Sequence, residues 1–503
     1  MPSLLLASRI AALLFLLPLA VSHAVARFDT AEIVLRSQRA YNGASGSPNP
    51  FTDVTLTAHV TSPRGRTFTV DGFFDGNGGR GGVSGQRGNV FKFRVYADER
   101  GTWRWRTTSN NPSLNGKTGT FQCAGRLPGV FGKGAIMENR AHPSTFKYQI
   151  GGPVYLIGKF LDVAAPRPIQ YSHAMFSESL TDDDRRAMLD RHAGMRLNKM
   201  SVYLANRGDY GGRVPTTPWL GTAANNDKQR FDLARWRLFE RWVLRMRGAG
   251  IAAHLWFFAD DSGFGDLPDA DRKRLIRYAM ARLSGYSNTM FTVALEWQEG
   301  WSQNEVHSTA SYVQQINPWR RLSSVHGTTG DFAFHDAPWA DYIQIQSGNG
   351  SSHPRVHEMG LANRRADRPL INEEFGLGAE TTENRQKAWA AFMAGSAGLG
   401  TGAFLQHLSR FASLVDFERM SPSDSLVRSG RAYALAEADR AYVFYLFDGG
   451  TVTIDLGGAN GTFAAEWYDP RTGAFQATPA TSGGSQRSFT APAGGDWVLY
   501  LHR

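Results

Sequence analysis

From about residue 150 to residue 408, this chain of 503 residues alternates short apolar runs with amphipathic segments. The apolar runs fall at 154–160, 199–204, 251–258, 291–297, 322–326, 342–346, 370–375 and 403–407. Between them, Thr181 opens a helix through His192, with three aspartates in its first turn. A helix over 231–247 carries Trp236, Phe239, Val243 and Met246 on one face and stops at Gly248. A third, over 268–284, places Leu275, Ile276, Ala279, Met280 and Leu283 at helical spacing. Strand–helix alternation implies a parallel sheet. Eight units predict that it closes into a (β/α)8 TIM barrel, an α/β fold. No glycine fingerprint follows the first run, which speaks against a dinucleotide fold.

Both flanks read as all-β. Val54, Leu56, Ala58 and Val60 alternate with polar residues, as do Phe91, Phe93 and Val95. The turn at Asp98-Glu-Arg-Gly101, leading into Trp103-Arg-Trp105, reads as a hairpin. After residue 430, short strands are separated by Asp-Gly-Gly and Asp-Pro-Arg-Thr-Gly turns. The expected layout is a signal peptide at 1–26, a β-sandwich at 27–125, the barrel at 135–425 and a second β-sandwich at 430–503.

The leader has Arg9, an apolar stretch from Ile10 to Val21 and an Ala24-Val25-Ala26 cleavage site. The apolar stretch is shorter than the ~20 residues that span a bilayer, so export without stable membrane insertion is expected, secreted or periplasmic. Cys123 has no cysteine partner and reads as a small buried residue. The net charge of +10 is scattered, with no basic run, so nucleic acid is not an expected partner. The Gly-rich stretch 75–82 has no following helix or Lys-Ser/Thr and reads as a loop. The acidic stretch 260–266 lacks calcium-loop spacing, and no His/Cys cluster suggests zinc, so neither metal nor cofactor is expected.

Two glutamates stand where apolar runs end: Glu299 in Leu295-Glu-Trp-Gln-Glu-Gly-Trp301, and Glu374 in Leu370-Ile-Asn-Glu-Glu-Phe-Gly376. A carboxylate at the carboxyl end of a buried strand costs stability, and barrels build active sites there. The two are 75 residues apart, room for two more strand–helix units, so their rims would face across the mouth. Paired carboxylates ~5–5.5 Å apart suit retaining cleavage of a glycosidic bond. Glu299 would be the acid/base, raised by burial beside Trp297 and Trp301, and Glu374 the ionised nucleophile. Glu296 and Glu373 are assigned structural hydrogen bonds, although strand parity alone does not choose within either doublet. The alternative is that one or both glutamates pair with an arginine or cap a loop.

The Glu296-Trp-Gln-Glu299 segment resembles the strand-four Asn-Glu signature of retaining barrel glycosidases, with Gln298 in the Asn place. The segment 369–376 is similar to their strand-seven nucleophile motif. The whole resembles the apiosidase-like hydrolases, in which a β-sandwich with a Gly-Phe-Phe-Asp-Gly segment, here Gly72–Gly76, precedes the barrel. Trp467–Gly473 and Gly495–Leu499 look like a collagen-binding-type β domain. Gln298 departs from the Asn that bonds the sugar 2-hydroxyl in many relatives, and Glu299 stands where some members carry Asp. The resemblance implies a secreted glycoside hydrolase with a carbohydrate substrate. A non-catalytic carbohydrate-binding or adhesion protein on the same scaffold is the rival.

Other rim positions are candidate substrate contacts: Asp162, Asn206, Trp256, Gln298, Trp301, His326, Gln346 and His407, with Asp260 beside them. Amides, carboxylates and imidazoles bond hydroxyls, and a Trp face stacks on a pyranose. Trp219 and Trp301 are candidate platforms with core packing as the rival. His254, mid-strand, reads as a core histidine. Oligomeric state is unknown from the sequence.

Overall fold

The computed structural model describes residues 24–79, 85–206, 215–259, 266–376 and 378–503. Residues 1–23 of the expected leader, part of the glycine run and Asp260 lie outside them. The expected cut after Ala26 falls beside ordered pairing, because Val25 bridges Cys123 and bonds Gln122 and Ala124. The fold is mixed α/β, with seven α-helices among the described residues.

Eight short strands form two four-stranded parallel sheets. One contains Lys199–Tyr203, Ala252–Phe258, Thr289–Ala294 and Ser323–Ser324, in that order. The other runs Leu156–Ile157, Gly398–Leu399, Leu370–Glu374, Ile343–Gln346. Hydrogen bonds join the sheets along both edges: the Asn198 amide donates to the Ile157 carbonyl at 3.0 Å, and Asp341 to Ser323 at 2.9 Å.

The strands are nearly wholly buried on both faces, as parallel strands are. Capped helices cover the outside. Thr181 caps the helix Asp182–Gly194, as the sequence predicts, and Asp184 completes a capping box with it. Asp232 caps Leu233–Gly248.

One parallel strand differs from expectation. The eighth strand is Gly398–Leu399, and 403–407 instead enters a helix, Leu405–Ala412. The apolar residues Leu405, Leu408 and Phe411 recur at helical spacing, which a five-residue window hides.

Interior polar groups tie one sheet to the other. Lys199 Nζ reaches both carboxylate oxygens of Glu373 at 2.6 Å. His254 Nε2 lies 2.9 Å from the Tyr342 hydroxyl, and Thr292 donates to Gln344 Oε1 at 2.9 Å. His254 is thus a core histidine.

The amino-terminal strands form a three-stranded sheet and a four-stranded sheet that close on Phe93, Val95, Trp103 and Phe121. The expected hairpin across Asp98–Gly101 is absent. Arg87–Tyr96 pairs in one sheet and Gly101–Ser109 in the other, so the turn is a corner between sheets. Both strands bury aromatic residues on the same core, and Phe93 meets Trp105 edge-on at 5.3 Å. The carboxyl-terminal strands form a six-stranded and a three-stranded sheet around Phe444, Leu446, Trp467 and Leu499.

Charges are buried where the amino-terminal sheets meet the helices. Arg94 bonds Glu240 at 2.7 Å, Arg282 bonds Glu240 at 2.5 Å and Asp75 at 3.1 Å, and both guanidinium groups flank the Phe73 ring. Asp75 and Phe73 belong to the Gly-Phe-Phe-Asp-Gly segment. On the other side, Arg385 forms a two-bond pair with Asp496, at 2.9 and 2.7 Å. No helix among the described residues is long and apolar enough to cross a membrane.

Candidate active site

Glu374 is the last residue of its strand. It is half-buried, and the side-chain amide of Asn349 donates to its Oε1 at 2.9 Å. Pairing with the neighbouring strand slips between Ile345 and Gln346, so Asn372 faces Ile345 and Glu374 faces Gln346. Glu373 is the extra residue of this bulge. Its carboxylate is buried and held by Lys199 and by the Ser201 hydroxyl at 2.5 Å, the structural role expected of it.

Glu299 ends a single 3-10 turn, Trp297–Glu299, just past the strand Thr289–Ala294. Its side chain is exposed. The desolvation expected from Trp297 and Trp301 is not met: Trp301 packs inward on Phe258 with Arg272 over its ring. Glu296, at the start of the turn, takes a left-handed backbone at φ 39°, ψ 50°. Such strain in a residue with a side chain needs surrounding support. Here the Glu296 amide faces His326 Nδ1 at 3.4 Å and the Trp297 amide bonds the His326 carbonyl at 3.0 Å. Gln298 accepts from the Thr328 amide at 2.9 Å, which ties the turn to the next strand's loop.

Several predicted rim residues converge. Trp256 and His326 rings lie 5.2 Å apart, both buried. Trp256 Nε1, His326 Nε2 and Gln346 Oε1 are buried polar atoms without a hydrogen-bond partner. Burial, followed by the charge of Lys199, pushes the His326 imidazole down to about 3, so it is neutral at ordinary pH.

Others are committed elsewhere. Asp162 pairs with Arg191 and Lys159. Burial opposes its ionisation, but the Arg191 hydrogen bond and the Lys159 charge outweigh it and hold the carboxyl below the usual range. The main chain of Asn206 forms a bridge with that of Thr216. Trp219 is buried beneath Lys228, so neither it nor Trp301 presents an open platform. His407 lies in the helix Leu405–Ala412 and faces the carboxyl-terminal sheets, with its carbonyl accepting from Tyr468.

The sequence reading missed Asn349, which sits between two glycines and looks like an ordinary turn residue. It also missed His173, whose ring stacks on Phe160 at 4.9 Å and nears Tyr203 at 4.3 Å and Trp256 at 5.4 Å. A histidine outside any strand, 30 and 83 positions before Tyr203 and Trp256, gives no local signal. Among the described residues, no group of three or more His, Cys, Asp or Glu could hold a metal ion.

Residues 24–110 match a domain of unknown function (DUF5060), and residues 422–502 match a "putative collagen-binding domain of a collagenase". No curated protein sequence matches the chain. Among solved structures, a "putative glycoside hydrolase" from Bacteroides vulgatus is similar at 18% identity and TM-score 0.75, over 95% of this chain and 99% of that one. A glycoside hydrolase family 5 structure from the same organism is similar at 15% identity and TM-score 0.61, over 74% and 93%. A third structure, titled a glycoside hydrolase, is similar at 15% identity and TM-score 0.58, over 74% and 97%. At these identities the likeness is one of fold.

Proposed function

We propose that this chain is an exported glycoside hydrolase whose eight parallel strands close into a (β/α)8 barrel, braced by β-sandwiches at 27–125 and 430–503. The observation that carries the reading is the placement of two carboxylates at the carboxyl ends of parallel strands, Glu299 on the turn just past one and Glu374 as the last residue of another, held by Asn349. The likeness of the surrounding motifs to apiosidase-like hydrolases supports it, as does the fold shared with the structures titled glycoside hydrolases.

In a retaining reaction, Glu374 attacks the anomeric carbon while Glu299 gives its proton to the departing oxygen. Water then attacks the glycosyl–enzyme ester, Glu299 takes the water proton, and Glu374 leaves as a carboxylate. Because Glu299 is exposed, the bound sugar itself must dry the acid. Gln298 and Gln346 are the proposed sugar contacts, while Trp256 and His326, both 0% exposed, would back the pocket without touching the sugar.

The exposure of Glu299 also favours a second reading, a carbohydrate-binding protein that retains the rim without turnover. A screen of sugars released from a broad polysaccharide panel separates the two. Wild-type protein should release sugar, and Glu299→Gln and Glu374→Gln should each abolish release while leaving glycan binding largely intact. Undiminished turnover in both variants would end the assignment of these two glutamates, and no release by the wild type on any glycan would end the hydrolase reading.

A further inference from the structure

Glu373 is buried beside the proposed nucleophile and takes no part in the steps above. Lys199 donates to both its oxygens at 2.6 Å, Ser201 adds a third bond at 2.5 Å, and the Lys199 and Glu373 side chains are 0% and 2% exposed. A buried ion pair is a poor source of stability. Replacing one with apolar groups of similar volume is often neutral or favourable, whereas removing one partner alone is costly. Stability therefore does not explain why this pair is present.

Its geometry does. Consecutive residues of a regular strand point to opposite faces. Here the slip between Ile345 and Gln346 makes Glu373 the bulged residue, and bulges re-aim side chains. Glu373 turns into the interior toward Lys199, on the other four-stranded sheet, and Glu374 is left at the strand end on Asn349.

The neighbouring strand is shaped for the bulge. A Cβ at Gly400 would lie 2.4 Å from the Glu373 carbonyl oxygen and 2.6 Å from its carboxyl carbon. Any side chain there would displace Glu373. Beyond the bulge, the Ser347 amide holds the Glu374 carbonyl at 2.8 Å.

We infer that Lys199 and Glu373 are a positioning pair: their ion pair across the interior pins the bulge that presents the Glu374 carboxylate to the sugar. The inference rests on the proposed role of Glu374. A misplacement of about 1 Å at a reacting group can cost roughly 100-fold in rate.

The test is the double variant Lys199→Met/Glu373→Met, which removes both charges together. Its melting temperature should stay near that of the wild type, with KM changed by less than about threefold and kcat lowered at least ~100-fold. The single variants should instead lose stability, since each strands one buried charge. Gly400→Ala displaces the bulge with both charges intact and should reproduce the kcat loss, which keeps the test open if the double variant does not fold. A folded double variant, or Gly400→Ala, with wild-type kcat overturns the inference while Glu374→Gln remains inactive. If the wild type cleaves no glycan, the hydrolase reading fails, and crystal structures of the double variant and of Gly400→Ala decide the geometry. Glu374 displaced from Asn349 supports the pinning role, and an unmoved Glu374 removes it.

Discussion

Asn349 donates its side-chain amide to one oxygen of Glu374 at 2.9 Å, from a glycine-flanked turn beyond the preceding parallel strand. The contact occupies Oε1 and orients the carboxylate. A hydrogen bond to a charged group contributes about 1.5–3 kcal/mol. Asn349→Ala should therefore lower kcat roughly tenfold or more with little change in melting temperature, checked by steady-state kinetics beside calorimetry.

The role assigned to Glu299 makes its loss depend on the leaving group. General acid catalysis contributes about 10²–10⁴-fold. Glu299→Gln should lose that much on an unactivated glycoside and far less on an aryl glycoside with an acidic phenol. Equal losses on both substrates would exclude proton donation by Glu299.

The carboxyl-terminal sheets are coupled to the helix Thr382–Met393. Arg385 pairs with buried Asp496, which also accepts from Tyr445, and Trp389, Phe392 and Phe411 pack in one cluster with Tyr445, Tyr468 and Val498. Breaking a buried pair costs about 3–5 kcal/mol. Asp496→Ala should lower the melting temperature, and removal of residues 430–503 should yield an aggregating chain. A monomeric, fully active truncation would show that this packing is dispensable.

Glu240 sets an acid limit. Burial opposes its ionisation, but the charges of Arg282 and Arg94 outweigh it and hold the carboxyl near about 2, against 4.5 ordinarily. The folded value lies below the unfolded one, so the stabilisation is present above about pH 4.5 and is lost as pH falls toward 2. At about 1.4 kcal/mol per unit it amounts to roughly 3 kcal/mol. Glu240→Gln should flatten stability against pH in that window, measured by denaturant unfolding.

Cys123 is buried, and burial pushes its thiol up to about 11. The thiolate is the reactive form. Native protein at pH 8 should resist iodoacetamide, and one equivalent should react after unfolding, as read by mass spectrometry.

Much of the architecture was legible because burial leaves a periodic trace. Seven of the parallel strands, and the helices at 182–194, 233–248 and 269–283, follow from apolar runs and helical spacing close to where they occur. The eighth strand was misplaced because Gly398–Leu399 is only two residues long, while the more apolar run after it is helical. The corner at Asp98–Gly101 was misread because a turn between alternating strands looks the same whether they share a sheet or face each other.

The site was less legible. Glu373 and Glu374 are neighbours in one motif, and only the register slip against Ile345–Gln346 separates their directions. Asp162 and His407 have residue types suited to sugar contact, yet Arg191 and the carboxyl-terminal sheets claim them. Those partners lie far along the chain, where no local pattern reveals them.

The charges shared by Arg94, Glu240, Arg282 and Asp75 bear on how such a protein can be reassembled. A recombination event that exchanged only the leading sheets would leave the Glu240–Arg282 pair without Arg94 and Asp75. A successful chimera must carry matching acids and bases on the incoming piece, so these segments travel best as a single inherited unit.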